Sequence, residues 1–186
     1  MHDRRRQLLG LLKVAARQDL GPGDVTSLAL VPARRKVRGR YVAREPGVVA
    51  GLALLPDVFR AVGGGVEARP LLGEGTRIRR GQLLAEVRGP ARAVLAGERL
   101  SLNILCRLSG IATLTAKYVR RVAGTGARIY DTRKTTPGLT MIEKYAVHVG
   151  GGTNHRLGLW DGVLIKDNHL ALLGMKVGTA VRRALR

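Results

Sequence analysis

The densest chemistry in the chain lies between Asp131 and His169. It opens with Asp131-Thr132-Arg133-Lys134-Thr135-Thr136-Pro137-Gly138 and continues with Glu143-Lys144-Tyr145-Ala146-Val147. Next comes Gly150-Gly151-Gly152-Thr153-Asn154-His155-Arg156, and Leu164-Ile165-Lys166-Asp167-Asn168-His169 closes it. Arg133, Lys134, His155, Arg156 and Lys166 supply positive charge or N–H donors, with threonine hydroxyls and a triple glycine among them. Cations that converge beside flexible glycine backbone make a concave anion site, and hydroxyls add donors for phosphate. Arginine adds a planar fork that grips carboxylate or phosphate through paired hydrogen bonds. The ligand this predicts is a small polyanion, most simply a phosphorylated one. Asp131, acidic among cations, reads as a residue that orients a neighbour, not as a base.

Such side chains need rigid elements behind them. Residues 128–130 and 162–165 read as short strands, each running into a charged loop, as on the active-site face of a β/α barrel. Before them, residues 91–122 read as one long helix, with Leu100, Ile104, Leu108, Ile111 and Leu114 recurring at steps of three and four. Gly110 inside it predicts a break or a close packing contact, and Cys106 reads as a small core residue. Residues 37–43, 47–51, 76–79 and 82–87 carry β-like patterns around a short helix at 55–62 that stops at Gly63-Gly64-Gly65. That part reads as a small α+β domain. Leu8, Leu11, Leu12 and Ala15 share one face of a first helix, which ends near Gln18 because Gly21-Pro22-Gly23 cannot continue it.

Composition narrows the partners. Lysine and arginine number 33 against 13 acidic residues, a formal charge of +20, which attracts polyanions. The basic residues are spread along the chain, not gathered in a stripe. With aromatics at 3%, a nucleic-acid binder lacks stacking rings, and no recognition helix stands out. Residues 73–90 have the glycine turns of a biotinyl or lipoyl carrier but no lysine at a hairpin tip. A single cysteine allows no intrachain disulfide, so a reducing cytoplasm is expected. Arg4-Arg5-Arg6 and the leucines after them imitate a signal peptide, yet Lys13 interrupts the apolar run and no small-residue cleavage site follows. No stretch approaches the roughly 18 apolar residues of a membrane span.

The same motifs carry a family resemblance. DTRKTTPGL, EKYAV, GGGTNHRLGL and LIKDNH are similar to the motifs of quinolinate phosphoribosyltransferases, as is ERLSLNILCRLSGIATLT at 98–115. QDLGPGDVTS at 18–27 and GQLLAEVRGPARAVLAGER at 81–99 extend the resemblance over the whole chain. It implies an N-terminal α/β sandwich, or hammerhead, over residues 1–104 that includes the start of a linking helix. Residues 105–186 would begin an open α/β barrel that the chain does not complete.

The implied reaction joins quinolinate to phosphoribosyl pyrophosphate, giving nicotinate mononucleotide, pyrophosphate and carbon dioxide, with Mg²⁺ carried on the phosphates. A paralogous pyridine phosphoribosyltransferase is the alternative within enzymes. The resemblance implies that Arg133 and Arg156 grip the quinolinate carboxylates with Lys166 nearby. Arg99 would reach in from the other subunit of a homodimer or larger oligomer. Lys134 and His155 would hold phosphoribosyl pyrophosphate, with Thr132 adding a contact, and Lys134 and Lys166 would be the catalytic lysines. His148 stands where family members often carry arginine, and His169 carries a weaker expectation of a role. The family's ribose-binding and metal-organising carboxylates are expected on later strands, so this chain alone is expected to be inactive.

Overall fold

The computed structural model describes residues 2–185, with side chains from residue 7 onward. Helix α1 spans His2–Leu20 and buries Leu12 and Ala16, with Leu8, Leu11 and Ala15 partly covered. This is the face expected from their spacing. The side chains of Arg4, Arg5 and Arg6 lie outside the described residues. A short helix α2, Val25–Leu30, follows, and Asp24 caps it by accepting the Ser27 N–H at 3.0 Å.

The N-terminal part is built on two small antiparallel sheets. In one, β5 (Leu83–Pro90) lies between β1 (Lys36–Val42) and β3 (Glu67–Pro70). In the other, β2 (Gly47–Val48) pairs with β4 (Arg77–Ile78). Helix α3, Leu55–Ala61, connects them and buries Leu55, Val58 and Phe59. Strand β3 alternates exposed Glu67 and Arg69 with core-facing Ala68, but four residues ending in Pro70 are too few to give much sign of a strand.

Helix α4, Ala91–Arg121, is the spine of the molecule. At 1.5 Å per residue, its 31 residues extend roughly 46 Å. Leu105 joins the core formed by Tyr41, Val49, Phe59, Ala85 and Val87. Leu108 and Ala112 join Val48, Ala50, Ile142 and Ala146, while Leu100 packs with Leu12, Ala16 and Val58. One helix therefore seals three cores. Its hydroxyls also satisfy backbone that the short β2 leaves unpaired: Thr113 Oγ1 accepts the Val48 N–H at 2.8 Å, and Ser109 Oγ accepts that of Ala50 at 3.1 Å.

Three expectations for this helix need correction. Leu114 is exposed, because the buried stripe runs through Leu105, Leu108, Ala112 and Thr115. Cys106 is also exposed, one turn position away from that stripe. Gly110 neither breaks the helix nor meets a neighbour: a Cβ there would stand in open space.

Beyond α4 the chain forms α5 (Thr140–Val149), α6 (Asp167–Leu173) and α7 (Val177–Ala184). Residues 128–130 do not form a full strand. Tyr130 makes a single parallel bridge with Thr153, where the Asp131 N–H donates to Thr153 O at 3.1 Å and the Thr153 N–H to Ile129 O at 2.8 Å. Residues 162–165 form no strand either, and Val163 is 75% exposed. A strand is a pairing, and an apolar run acquires strand geometry only when another backbone lies beside it. Among the described residues, no helix is long and apolar enough to cross a membrane.

Candidate anion-binding site

Two loops leave the Tyr130–Thr153 bridge together. One carries Thr132, Arg133 and Lys134, and the other carries His155 and Arg156. Asp131 fastens one to the other. Its Oδ1 accepts the His155 N–H at 2.8 Å and the Lys144 ammonium at 2.5 Å. Its Oδ2 accepts the Asn154 amide at 2.7 Å, and that amide also donates to Lys144 O at 2.8 Å. Lys144 is almost wholly enclosed, at 2% exposure, and Asp131 has a side chain 7% exposed. A charge that far from water requires a partner of opposite sign, and each provides it for the other. The acid expected to orient a neighbour is thus hydrogen-bonded to Lys144, Asn154 and the His155 backbone.

The first loop is fastened a second time, to α4 and α5. Arg107 donates to Glu143 through Nε at 2.9 Å and through Nη2, and Nη2 also donates to Thr136 Oγ1. The Thr136 N–H donates to the other Glu143 oxygen at 3.2 Å, and the Thr135 and Thr140 hydroxyls meet at 2.7 Å. Burial by itself raises the Glu143 carboxyl's pKa. The hydrogen bonds from Arg107 and Thr136 outweigh it with help from the Arg107 charge, leaving the pKa below its ordinary value. An open cleft of about 690 Å³ lies against this clamp, lined by Lys134, Thr135, Thr136, Arg107, Cys106 and Ile111 among others.

The remaining candidates sit at separate places. Arg156 is half-buried and donates to Gly162 O at 3.2 Å, closing its own loop. His155 is exposed, with its ring edge-on to Tyr130 at 6.5 Å between centroids. Lys166 is exposed directly before α6, where its N–H donates to His169 Nδ1 at 2.9 Å, so His169 caps that helix. Arg99 is exposed on α4, two turns before Arg107. The structure therefore brings Thr132, Arg133, Lys134, His155 and Arg156 to adjacent loops, with Lys166 and Arg99 on other elements. His148 is exposed near the end of α5.

The triple glycine serves packing more than ligand approach. A Cβ on Gly150 would lie 2.5 Å from Ala112 O, and one on Gly152 would lie 2.7 Å from Val147 Cγ1. These contacts let α5 and the following loop close onto α4. Sequence reasoning also passed over Arg107 and Glu143, and gave Lys144 no role of its own. A Glu-Lys pair on a helix usually faces water, so residue type alone gave no sign that both are buried.

Comparison with known proteins fits this architecture. Residues 24–109 match the quinolinate phosphoribosyl transferase N-terminal domain, and residues 111–186 match the C-terminal domain of the same family. The chain is 49% identical over 180 residues to the nicotinate-nucleotide pyrophosphorylase (carboxylating) of Mycobacterium leprae, covering 93% of this chain and 63% of that protein. A probable nicotinate-nucleotide pyrophosphorylase of Bacillus subtilis is 45% identical over 168 residues, covering 90% of this chain and 58% of that one. The crystal structure of NadC from Streptococcus pyogenes superposes with a TM-score of 0.87 at 40% identity, covering 93% of this chain and 61% of that one. The chain thus spans about three-fifths of the length of these relatives. Its fold is an N-terminal α/β sandwich followed by the start of an open α/β barrel. With both domain matches in order and the cationic motifs on adjacent loops, the chain belongs to the quinolinate phosphoribosyl transferase family.

Proposed function

We propose that this chain supplies the cationic half of a quinolinate phosphoribosyltransferase site in NAD biosynthesis. One observation carries the reading. Arg133, Lys134, His155 and Arg156 lie on two loops joined at Asp131, while the Asp131 and Glu143 carboxylates are engaged by Lys144 and Arg107. Cations not already paired with a neighbouring carboxylate are available to an anionic ligand.

Quinolinate carries two carboxylates, and Arg133 and Arg156 would grip them, with Lys166 adding charge. Lys134 and His155, with Thr132, would hold phosphoribosyl pyrophosphate. The bond from the ribose anomeric carbon to pyrophosphate breaks, and the pyridine nitrogen lone pair forms the new bond to that carbon. The 2-carboxylate then leaves as carbon dioxide, its bonding electrons remain on the ring carbon, and a proton from solvent takes its place. The pyridinium beside that carbon and the fixed cations stabilise the developing charge.

Mg²⁺ would arrive on the phosphates. Asp131 and Glu143 are already bound to cations, and the described residues include no cluster of three acidic, histidine or cysteine side chains to cage a metal. Arg99 would act in the site of a second subunit, and a cytoplasmic homodimer is the working form. A pyridine with one carboxylate would leave one of the two arginines without a partner, which favours quinolinate over a paralogue's substrate. The test is an NMR titration of this chain with quinolinate and, separately, with nicotinate. Quinolinate is expected to bind more tightly and to shift Arg133 and Arg156. Equal binding of the two would contradict a dicarboxylate site.

A further inference from the structure

We propose that Lys144 is a positioning residue that keeps Asp131 from competing for the site's cations. The proposal rests on the anion-site reading above and deepens it. Asp131 precedes Thr132, Arg133 and Lys134 directly, so its carboxylate starts the loop that carries the ligand-facing charge. A carboxylate in that position is a built-in rival for any anionic ligand. The fold removes the rivalry by bringing an ammonium up from α5: Lys144 Nζ reaches Asp131 Oδ1 at 2.5 Å and His155 O at 3.4 Å. The other carboxylate oxygen is held by Asn154 at 2.7 Å, and the His155 N–H shares Oδ1 at 2.8 Å.

Each partner has a consequence for function. The Asn154 and His155 bonds fix the second loop relative to the first. The Lys144 bond lets that carboxylate remain charged while buried, because a paired ion tolerates a dry site and a lone one does not. Glu143 is treated in the same way by Arg107, so the two acids beside the Thr132–Thr136 loop are occupied from elements behind it, while Asp161 in the second loop accepts the Leu157 N–H at 2.8 Å. Among the described residues, neither Arg133 nor Lys134 makes an ion pair.

Removing Lys144 should redirect Asp131. With no ammonium behind it, the carboxylate's remaining cationic partners lie in its own loop, at Arg133 and Lys134. Anion binding should fall because the site becomes internally neutralised, not because the fold is lost. Removing both charges should restore it: in the Lys144→Met/Asp131→Asn pair, an oxygen at position 131 can still accept the His155 N–H. A role through Lys144's own packing or its bond to His155 O, both lost in either variant, does not predict that recovery.

The experiment is a pyrophosphate titration of the 186-residue chain and its variants, read by NMR, with circular dichroism for folding. Lys144→Met is expected to bind about tenfold more weakly or worse, a loss of about 1.4 kcal/mol or more. The double variant is expected to return to within about threefold of the parent, less than half that energy. Unchanged binding in folded Lys144→Met overturns the proposal, as does a folded double variant still weakened about tenfold. If the single variant does not fold, the double variant's affinity decides by the same limits.

The unsubstituted chain gives an independent check. Its Lys144 Nζ resonance should stay in place on adding pyrophosphate while that of Lys134 moves, and an equal shift at Lys144 would make it a ligand contact and overturn the proposal. No binding by the unsubstituted chain would remove the anion-site reading itself and this proposal with it. Selective loss in a variant cannot be confused with that outcome.

Discussion

Arg133 is the residue whose loss should be most informative. If it grips a quinolinate carboxylate away from water, Arg133→Ala in a complete, active protein should cost about 2–5 kcal/mol of transition-state binding. Steady-state kinetics would show this in kcat/KM, and near-normal turnover would remove the assignment. Glu143 makes a prediction of a different kind. Its folded-state pKa is depressed below the unfolded value, so its contribution to stability is present above the unfolded pKa. That contribution is lost as pH falls through the folded value, below the ordinary carboxylate range near about 4.3. Glu143→Gln, which leaves Arg107 with a neutral partner, should cost about 1–3 kcal/mol at neutral pH. Denaturant melts should show the gap between the two proteins closing as pH drops below about 4. A gap independent of pH would mean that the Arg107 contact adds nothing through charge.

Glycines on two elements predict opposite signs. Gly150→Ala would push a methyl against the Ala112 carbonyl and Thr115 Cβ, at 2.5 and 2.8 Å, and backbone cannot step aside. Overpacking there should destabilise by about 1–3 kcal/mol. Gly110→Ala faces open space inside a helix and should stabilise by about 0.5–1 kcal/mol. Thermal melts of both variants check the pair, and the same sign for both would contradict the packing described. The long helix was legible in the sequence almost to its ends, expected at residues 91–122 and observed at Ala91–Arg121, because apolar spacing and flanking Pro and Gly are local signals. Strand β3 was not legible: Val66 and Ala68 face the core and Glu67 and Arg69 face out, but the run is only four residues and ends at Pro70, too short to stand out as a strand. Residues 162–165 show the reverse: a β-like composition with no partner strand. At the site, the cations were visible as residue types in motifs. The neutralisation of Asp131 and Glu143 was not, because it depends on which side chains the α4–α5 contact buries.

At the scale of the molecule, the exposed apolar groups gather late in the chain. Trp160 is 78% exposed, Leu172 86% and Val177 59%, in and after the second cationic loop. The chain corresponds to 63% of the Mycobacterium leprae relative. Catalysis of this kind needs a pocket closed to water, because cations lose most of their strength toward a ligand when solvent fills the space between. The 186 residues alone are therefore expected to form no nicotinate mononucleotide from quinolinate, phosphoribosyl pyrophosphate and Mg²⁺. Turnover within about tenfold of a full-length relative, a barrier change of only about 1.4 kcal/mol, would contradict this. Arg99 supplies a further test. In an active dimer, mixing Arg99→Ala with Lys134→Ala subunits should rebuild one intact site, and no activity despite proven subunit exchange would remove the shared-site arrangement. The most direct measurement joins this chain to the C-terminal remainder of the Mycobacterium leprae relative and follows carbon dioxide release from carboxyl-labelled quinolinate. Release that requires phosphoribosyl pyrophosphate and disappears with Arg133→Ala is the predicted result. A folded chimera that binds phosphoribosyl pyrophosphate yet releases no carbon dioxide would contradict the account.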